Sequence, residues 1–233
     1  MKLSSPVHQL KRQAKLNARA TGIPLHLALD ELAQKEGYSS WSHLSASGSR
    51  ATRAQQFLRQ LDAGDLVLIA ARPGQGKTLF GLELAIQANN AGQESHFFTL
   101  EYTPADVLKR VSQLGYNPTA KDTAFQLDCS DDICASYIVS KLRSARPNTL
   151  VIIDYLQLLD QKRQNPELDT QLVELREFAQ TSGVIIALIS QVQRDFDLSM
   201  KALPDLADVR LPNPIDLTSF TRTCFLHNGE IAF

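Results

Sequence analysis

Long apolar runs are absent from this chain of 233 residues. No segment reaches the roughly 20 residues needed to span a bilayer, which argues against a membrane-embedded protein. The start, Met1-Lys2-Leu3-Ser4-Ser5-Pro6, leads into Lys and Arg rather than into an apolar signal segment. The cytoplasm is therefore the expected compartment. Cysteine is scarce as well. Cys129, Cys134 and Cys224 are odd in number and lack paired spacing, so neither a disulfide framework nor a zinc site is expected, and buried thiols are. His26 and His43 have no accompanying cysteine or carboxylate cluster and read as surface or packing residues. Net charge is nearly absent, at -1, but unevenly distributed: residues 1–60 carry nine Lys or Arg against three Asp or Glu. That front segment reads either as a solvated basic face or as a surface for nucleic acid or an acidic partner.

Hydrophobic residues make up 43% and charged residues 21%, the composition of a soluble globular protein with a sizeable core. The stretch from Gly64 to Ala85 organises it. Leu66-Val67-Leu68-Ile69-Ala70 reads as a buried strand, Ala71-Arg72-Pro73-Gly74-Gln75-Gly76-Lys77-Thr78 as a small-residue loop, and Leu79 to Ala85 as the start of an amphipathic helix. Strand, glycine-containing loop ending in Lys-Thr, then helix is the context of a phosphate-binding loop. Backbone N–H groups of the loop and the helix start can surround a phosphate, Lys77 can reach the β- and γ-phosphates, and the Thr78 hydroxyl can hold magnesium. Ala71 stands where the usual pattern has glycine; Gly74 and Gly76 remain free to supply unusual backbone angles. The bland alternative is a tight structural turn.

Ahead of this stretch, Val7 to Arg19 and Leu25 to Glu36 read as helices, with Trp41 and Leu44 covering their apolar faces. The Tyr38-Ser39-Ser40-Trp41-Ser42-His43-Leu44 ending resembles a short N-terminal module found on various bacterial proteins, glyoxalase-superfamily members among them. That resemblance implies a helical adaptor, with a DNA-binding helix-turn-helix as the other reading. Ser45 to Ser49 reads as a joint, and Arg50 to Leu61 as a helix packing on its own domain or on a neighbouring subunit. The expected division is a basic helical module at 1–48, a linker helix at 49–63 and an α/β domain at 64–233.

Further strands are expected near 96–100, 150–153, 184–189 and 222–226, with a short one at Phe125-Gln126-Leu127. Helices are expected from Pro104 to about Leu114, Ile133 to Ser144 and Leu172 to Thr181. Three polar residues fall just past strand ends, on the edge that also holds Lys77 and Thr78. Glu101 reads as a general base for an attacking water, over a mere helix-start charge. Asp154 ends Thr149-Leu150-Val151-Ile152-Ile153-Asp154, a Walker B pattern able to accept from the Thr78 hydroxyl or from magnesium-bound water. Gln191 can bond the γ-phosphate or the water and report its loss to the loop beyond, where Arg194, Lys201 and Arg210 are mixed with four aspartates.

Together these segments resemble the RecA-like ATPase domain of the DnaB-type replicative helicases of superfamily 4. The motifs that carry the resemblance are Ala70 to Thr78, Thr99-Leu100-Glu101, Ile153-Asp154-Tyr155-Leu156-Gln157-Leu158-Leu159, Leu188 to Arg194, and Leu203-Pro204-Asp205-Leu206. The resemblance implies a doubly wound, mainly parallel RecA-like P-loop sheet preceded by the small helical module. It further implies magnesium-dependent ATP binding by Ala71 to Thr78 with Asp154, metal held at Thr78 and Asp154, and catalysis by Glu101, Lys77 and Gln191. Single-stranded DNA binding or translocation follows by the same resemblance, through loops after Leu159 and Arg194, in a homo-oligomer with ATP between subunits, within replication or recombination. The family also carries basic residues on a hairpin beyond the last matched strand; no Lys or Arg follows Arg222, which predicts slow hydrolysis unless a partner supplies a cation. The alternative function is a slow or inactive nucleotide-gated adaptor, loader or regulator.

Overall fold

A computed structural model describes residues 7–38, 40–41, 51–116, 124–160, 165–198, 201–210 and 215–233. The expected joint at Ser45 to Ser49, together with His43, Leu44 and Met200, lies outside these. The chain divides into two compact units between Thr52 and Arg53.

In the first unit, helices α1 (Val7–Thr21) and α2 (Leu25–Lys35) bury Leu10 and Ala14 against Ala28, Leu32 and Ala33. Trp41 packs on this cluster and its backbone N–H donates to the Asp30 carboxylate at 2.8 Å. Lys11, Arg12, Lys15 and Arg19 are exposed; at 100° per residue they fall within one stripe of α1, which carries no carboxylate.

The second unit is a sheet of seven strands between two helical layers. Its strands are β1 (Leu66–Ala71), β2 (Ser95–Thr99), β3 (Phe125–Asp128), β4 (Leu150–Asp154), β5 (Ile185–Gln191), β6 (Arg222–His227) and β7 (Glu230–Ala232), in spatial order β3-β2-β4-β5-β1-β6-β7. The first six run parallel and β7 is antiparallel to β6. All residues of β1, β2 and β4 are buried, which is why β1 and, up to Asp154, β4 are continuous apolar runs rather than alternating ones. The pleat sorts the core into two layers. Leu66, Leu68, Val151, Ile153 and Leu188 face α6 (Ala135–Lys141) and α7 (Leu168–Ser182). Val67, Ile69, Phe97, Ile152 and Ile189 face α3 (Arg53–Leu58), α4 (Lys77–Asn90) and α5 (Pro104–Gln113). This is a doubly wound α/β architecture.

Some boundaries differ from expectation. Helix α3 is shorter than Arg50 to Leu61 and packs on its own unit: Phe57 is buried, with its ring 5.0 Å from Phe233 and 6.1 Å from Phe80. Helix α7 begins at Leu168 rather than Leu172, because Leu168 is buried and Gln171 is anchored beneath the helix start. Helix α6 is confined to Ala135–Lys141. Strand β7 has no counterpart among the expected elements. Three residues carry no alternation to read; they become a strand because Asn228 and Gly229, at φ 49 and 80, form a tight turn that folds them back on β6. Among the described residues no helix is long and apolar enough to cross a membrane.

Candidate functional site

Strand register brings the predicted residues to one edge of the sheet. Thr99 pairs with Asp154, Asp154 with Ile189, and Ala71 with both Gln191 and Leu226. The carboxyl ends of β2, β4, β5, β1 and β6 are therefore level, and the chain leaving each contributes to the same rim. The crossover from β1 through α4 to β2 passes over β5 and β4, so the rim lies where the winding reverses, the usual ligand position in such sheets.

Ala71 ends β1 and is buried; Pro73, Gly74 and Gly76 are exposed, and Arg72 and Gln75 are half-buried. Gly74 and Gly76 take φ of 80 and 83, the left-handed region, while a Cβ at either would meet nothing within 4 Å. Conformation rather than space requires glycine there. Gly76 is the N-cap of α4 and offers no side chain to its first-turn amides. Helix starts of this kind are completed by an outside acceptor, and an anion suits the dipole. Lys77 and Thr78 are the first residues of α4 and both are buried, at 9% and 6% exposure. Among the described residues no carboxylate forms an ion pair with Lys77. The helix lies close to the sheet because residue 81 is glycine: a Cβ there would come within 2.9 Å of Ile189 Cδ1 and 3.2 Å of Ile152 Cγ2.

Asp154 has no exposure at all, and among the described residues neither carboxylate oxygen has a hydrogen-bond partner. Burial pushes its pKa up to about 6; the neighbouring Glu101 adds to this, while the Thr78 hydroxyl, Lys77 and Arg110 pull the other way. Thr78 is thus near enough to favour the anion but outside hydrogen-bonding geometry, so the direct Thr78–Asp154 bond is not formed. A bare buried carboxylate next to a hydroxyl and a lysine is a donor set fit for a magnesium ion carrying a nucleotide's phosphates. Glu101 is exposed, two residues beyond β2, with its backbone N–H donating to Thr99 Oγ1 at 3.1 Å. It stands ahead of α5, whose Thr103–Asp106 capping box and Pro104 fix the helix start. The peptide bond Asp154–Tyr155 is cis.

Gln191 ends β5, half-buried. The Arg210 guanidinium donates to Gln191 Oε1 at 3.4 Å, and the Arg210 backbone N–H donates to Gln191 O at 2.7 Å. Val192 and Val209 form an antiparallel bridge that carries this pairing onward, and Lys201 spans Asp205 and Asp208 at 2.9 and 3.0 Å. Gln157 donates to Arg210 O at 3.0 Å. Tyr155, Gln157, Gln191 and Arg210 line a cleft of ≈ 260 Å³, and Arg210 with Gln193, Arg194 and Asp195 lines a neighbouring opening.

Sequence reasoning missed two of these positions. Arg110, stacked 4.4 Å over the Tyr102 ring, is felt at Asp154, but a basic residue in the last turn of α5 reads only as a helix-end charge. Gln157, which enters the sequence reading only as part of the Ile153 to Leu159 motif and with no role of its own, sits in a 3₁₀ turn, Leu156–Asp160. Of the three thiols expected to be buried, Cys224 is; Cys129 and Cys134 are half-buried, and none is in a disulfide.

The family model of the DnaB-like helicase C terminal domain matches residues 49–117 and 114–218. The replicative DNA helicase DnaB of Synechocystis sp. is 28% identical over 181 residues, covering 64% of this chain and 21% of that protein. A probable plasmid replicative DNA helicase of Chlamydia psittaci is 25% identical over 203 residues, covering 73% of this chain and 44% of that protein. The chain thus spans less than half the length of these curated relatives. Among solved structures, an isolated ATPase domain superposes with a TM-score of 0.52 at 23% identity, covering 64% of this chain and 65% of that one. A DnaB-like replicative helicase superposes with a TM-score of 0.54 at 18% identity, covering 87% of this chain and 61% of that one. These likenesses bear on fold, which is RecA-like with an N-terminal helical module. Matched by the family model over most of its length, the chain belongs to the DnaB-like helicase C terminal domain family.

Proposed function

We propose that the chain is a magnesium-dependent ATPase whose turnover is coupled to single-stranded DNA. The observation that carries this reading is the fully buried Asp154 carboxylate, without a hydrogen-bond partner among the described residues, beside the uncapped start of α4 and the Lys77 ammonium. Burying that anion without a partner is costly, and the cost is understandable where a ligand completes the site. The amides following Gly74 and Gly76 and the Lys77 ammonium would hold the phosphates of ATP. Magnesium, held by Thr78 and Asp154, would neutralise charge on those phosphates.

Glu101 would take the proton of a water attacking the γ-phosphorus in line, and Lys77 would stabilise the charge spreading over the transferring group. Gln191 would hydrogen-bond the γ-phosphate or the water. Its Arg210 contact gives a route by which loss of phosphate reaches the segment after Arg194. The segments after Leu159 and Arg194 would meet DNA, in an assembly of copies of this chain with ATP between subunits, in replication or recombination.

The test is steady-state ATP hydrolysis with and without single-stranded DNA, using Glu101→Gln as control. DNA-stimulated turnover that disappears in Glu101→Gln, and loss of nucleotide binding in Lys77→Ala, are expected. Lys77→Ala binding ATP as tightly as the parent would sink the assignment. Magnesium-dependent binding without turnover sensitive to Glu101→Gln would replace the motor by a nucleotide-gated adaptor.

A further inference from the structure

The hairpin of β6 and β7 reaches the Ala71–Thr78 loop at one side chain. The Asn228 backbone N–H donates to Gln75 Oε1 at 2.8 Å, and the Gln75 amide reaches Asn228 Oδ1 at 3.4 Å. Asn228 Nδ2 lies 2.9 Å from His227 Nε2. The His227 ring in turn meets Phe196 edge-on, with centroids 5.0 Å apart at 84°. Phe196 is buried and belongs to the 3₁₀ turn Arg194–Leu198 that follows β5. A continuous set of contacts thus runs from the segment after Gln191, through the hairpin, to the middle of the glycine-containing loop.

Two features make this more than a surface contact. The loop is anchored at its ends, where Arg72 donates to Val192 O at 3.4 Å and Phe80 N–H to Gly76 O at 2.9 Å, but Pro73, Gly74 and Gly76 between them are exposed and two of the three are glycine. A glycine-containing stretch of this kind loses conformational freedom when it closes around phosphate, and a contact at its middle that orders it beforehand lowers that cost. The hairpin, by contrast, has its shape fixed locally. Asn228 and Gly229 are both left-handed, the two-residue turn whose twist matches paired strands, so the position of Asn228 is set by β6 and β7.

We infer that Gln75 and Asn228 are positioning residues that hold the phosphate loop in its nucleotide-accepting shape, and that His227 and Phe196 tie this clamp to the segment following β5. The inference rests on the nucleotide-site reading above and adds a second link between that segment and the phosphates, on the side of the loop opposite Gln191. Gln191 stands between the loop and β4; the hairpin approaches from β6.

The experiment is a double-mutant cycle on the affinity of a fluorescent ADP analogue, with Lys77→Ala alongside and thermal unfolding of each nucleotide-free protein. Gln75→Ala removes both bonds and is expected to weaken binding about 5- to 10-fold. Asn228→Gly keeps the turn and the backbone donor but loses the side chain, with an expected loss of about 2- to 3-fold. Because Asn228 acts through Gln75, the double variant should bind like Gln75→Ala alone, with the melting temperature of the nucleotide-free protein unchanged throughout. Affinity unaffected by Gln75→Ala, or losses that multiply in the double variant, would overturn the clamp. If Lys77→Ala loses binding while Gln75→Ala retains it, the clamp fails and the nucleotide site stands. If Lys77→Ala binds like the parent, both fall.

Discussion

Replacing Asp154 by asparagine should make the metal-free, nucleotide-free protein more stable while destroying its magnesium-dependent nucleotide binding. The carboxyl is fully buried, both oxygens lack partners, and its pKa is raised from 3.8 to about 6, chiefly by burial. That difference corresponds to a penalty on the folded anion of about 3 kcal/mol. Asparagine removes the charge but leaves a buried amide short of partners, returning about 1–2 kcal/mol of the gain. A net stabilisation of about 1–2 kcal/mol remains, or about 2–8 °C in melting temperature for a unit of this size.

The pH dependence fixes the cause. A carboxyl whose folded pKa lies above its unfolded value binds more protons in the folded state between the two, so the parent loses stability as pH rises from about 4 to about 6. The asparagine side chain does not titrate. The variant's advantage should therefore be full above about pH 6, shrink as the parent's carboxyl protonates, and reverse near pH 4, where the anion penalty is gone and the amide's own cost of about 1–2 kcal/mol remains. Thermal unfolding in chelator across that range measures it, and magnesium with nucleotide should raise the melting temperature of the parent alone. A variant no more stable than the parent at neutral pH, or an advantage of the variant that persists undiminished in acid, would refute the reasoning.

Gly81→Val should destabilise the α/β unit by about 2–3 kcal/mol, read by chemical denaturation, because its Cβ would sit 2.9 Å from the Ile189 side chain and force α4 off the sheet. Gln171→Leu should cost about 2–4 kcal/mol despite being nearly isosteric, since it strands Ala135 N–H and the carbonyls of Leu159 and Pro166, bonded at 3.0, 2.7 and 2.7 Å. Changing Lys11 and Lys15 to Gln tests the basic stripe of α1: if it neutralises phosphates of single-stranded DNA, the salt dependence of binding, as a log–log slope, should become shallower by about 1.4. An unchanged slope would make that stripe a solvated face.

The sheet was legible in the sequence because parallel strands buried on both faces need unbroken apolar runs, and β1, β4 and β5 supply them. The rim residues were legible for a related reason. A polar residue ending such a run, as Asp154 and Gln191 do, sits by strand geometry at the ligand edge. What could not be read depended on contacts distant in sequence. Gln75 was seen as a loop residue, but its partner Asn228 lies across the whole domain, and only the adjacency of β6 to β1 brings the two together. The tie between Arg210 and Gln191 depends in the same way on the return of the chain alongside β5. The start of α7 was placed late because its anchor is a buried glutamine, a residue type that reads as exposed in a helical pattern.

Gln171 and Asp154 also show how buried polarity separates structure from function. Both are fully buried, but the Gln171 amide has a partner for every direction it points in, joining α6, α7 and the turn after β4. Such a group specifies packing and asks for nothing further. The buried polar atoms left without partners, among the described residues, divide by position. Gln93 and Thr149 precede β2 and β4, at the amino edge of the sheet, and are neutral groups that a single water can satisfy. Asp154 and His227 end strands and Gln157 follows one, all at the opposite edge, and Asp154 alone among all five is a carboxylate. A neutral orphan costs less and can be met by one water, whereas an anion without a partner calls for compensation from outside the folded chain. On the nucleotide-site reading proposed above, its placement at the rim shared by Lys77, Thr78 and Gln191 makes Asp154 the residue at which stability is traded for binding, and hence the first to alter when the two are to be measured apart.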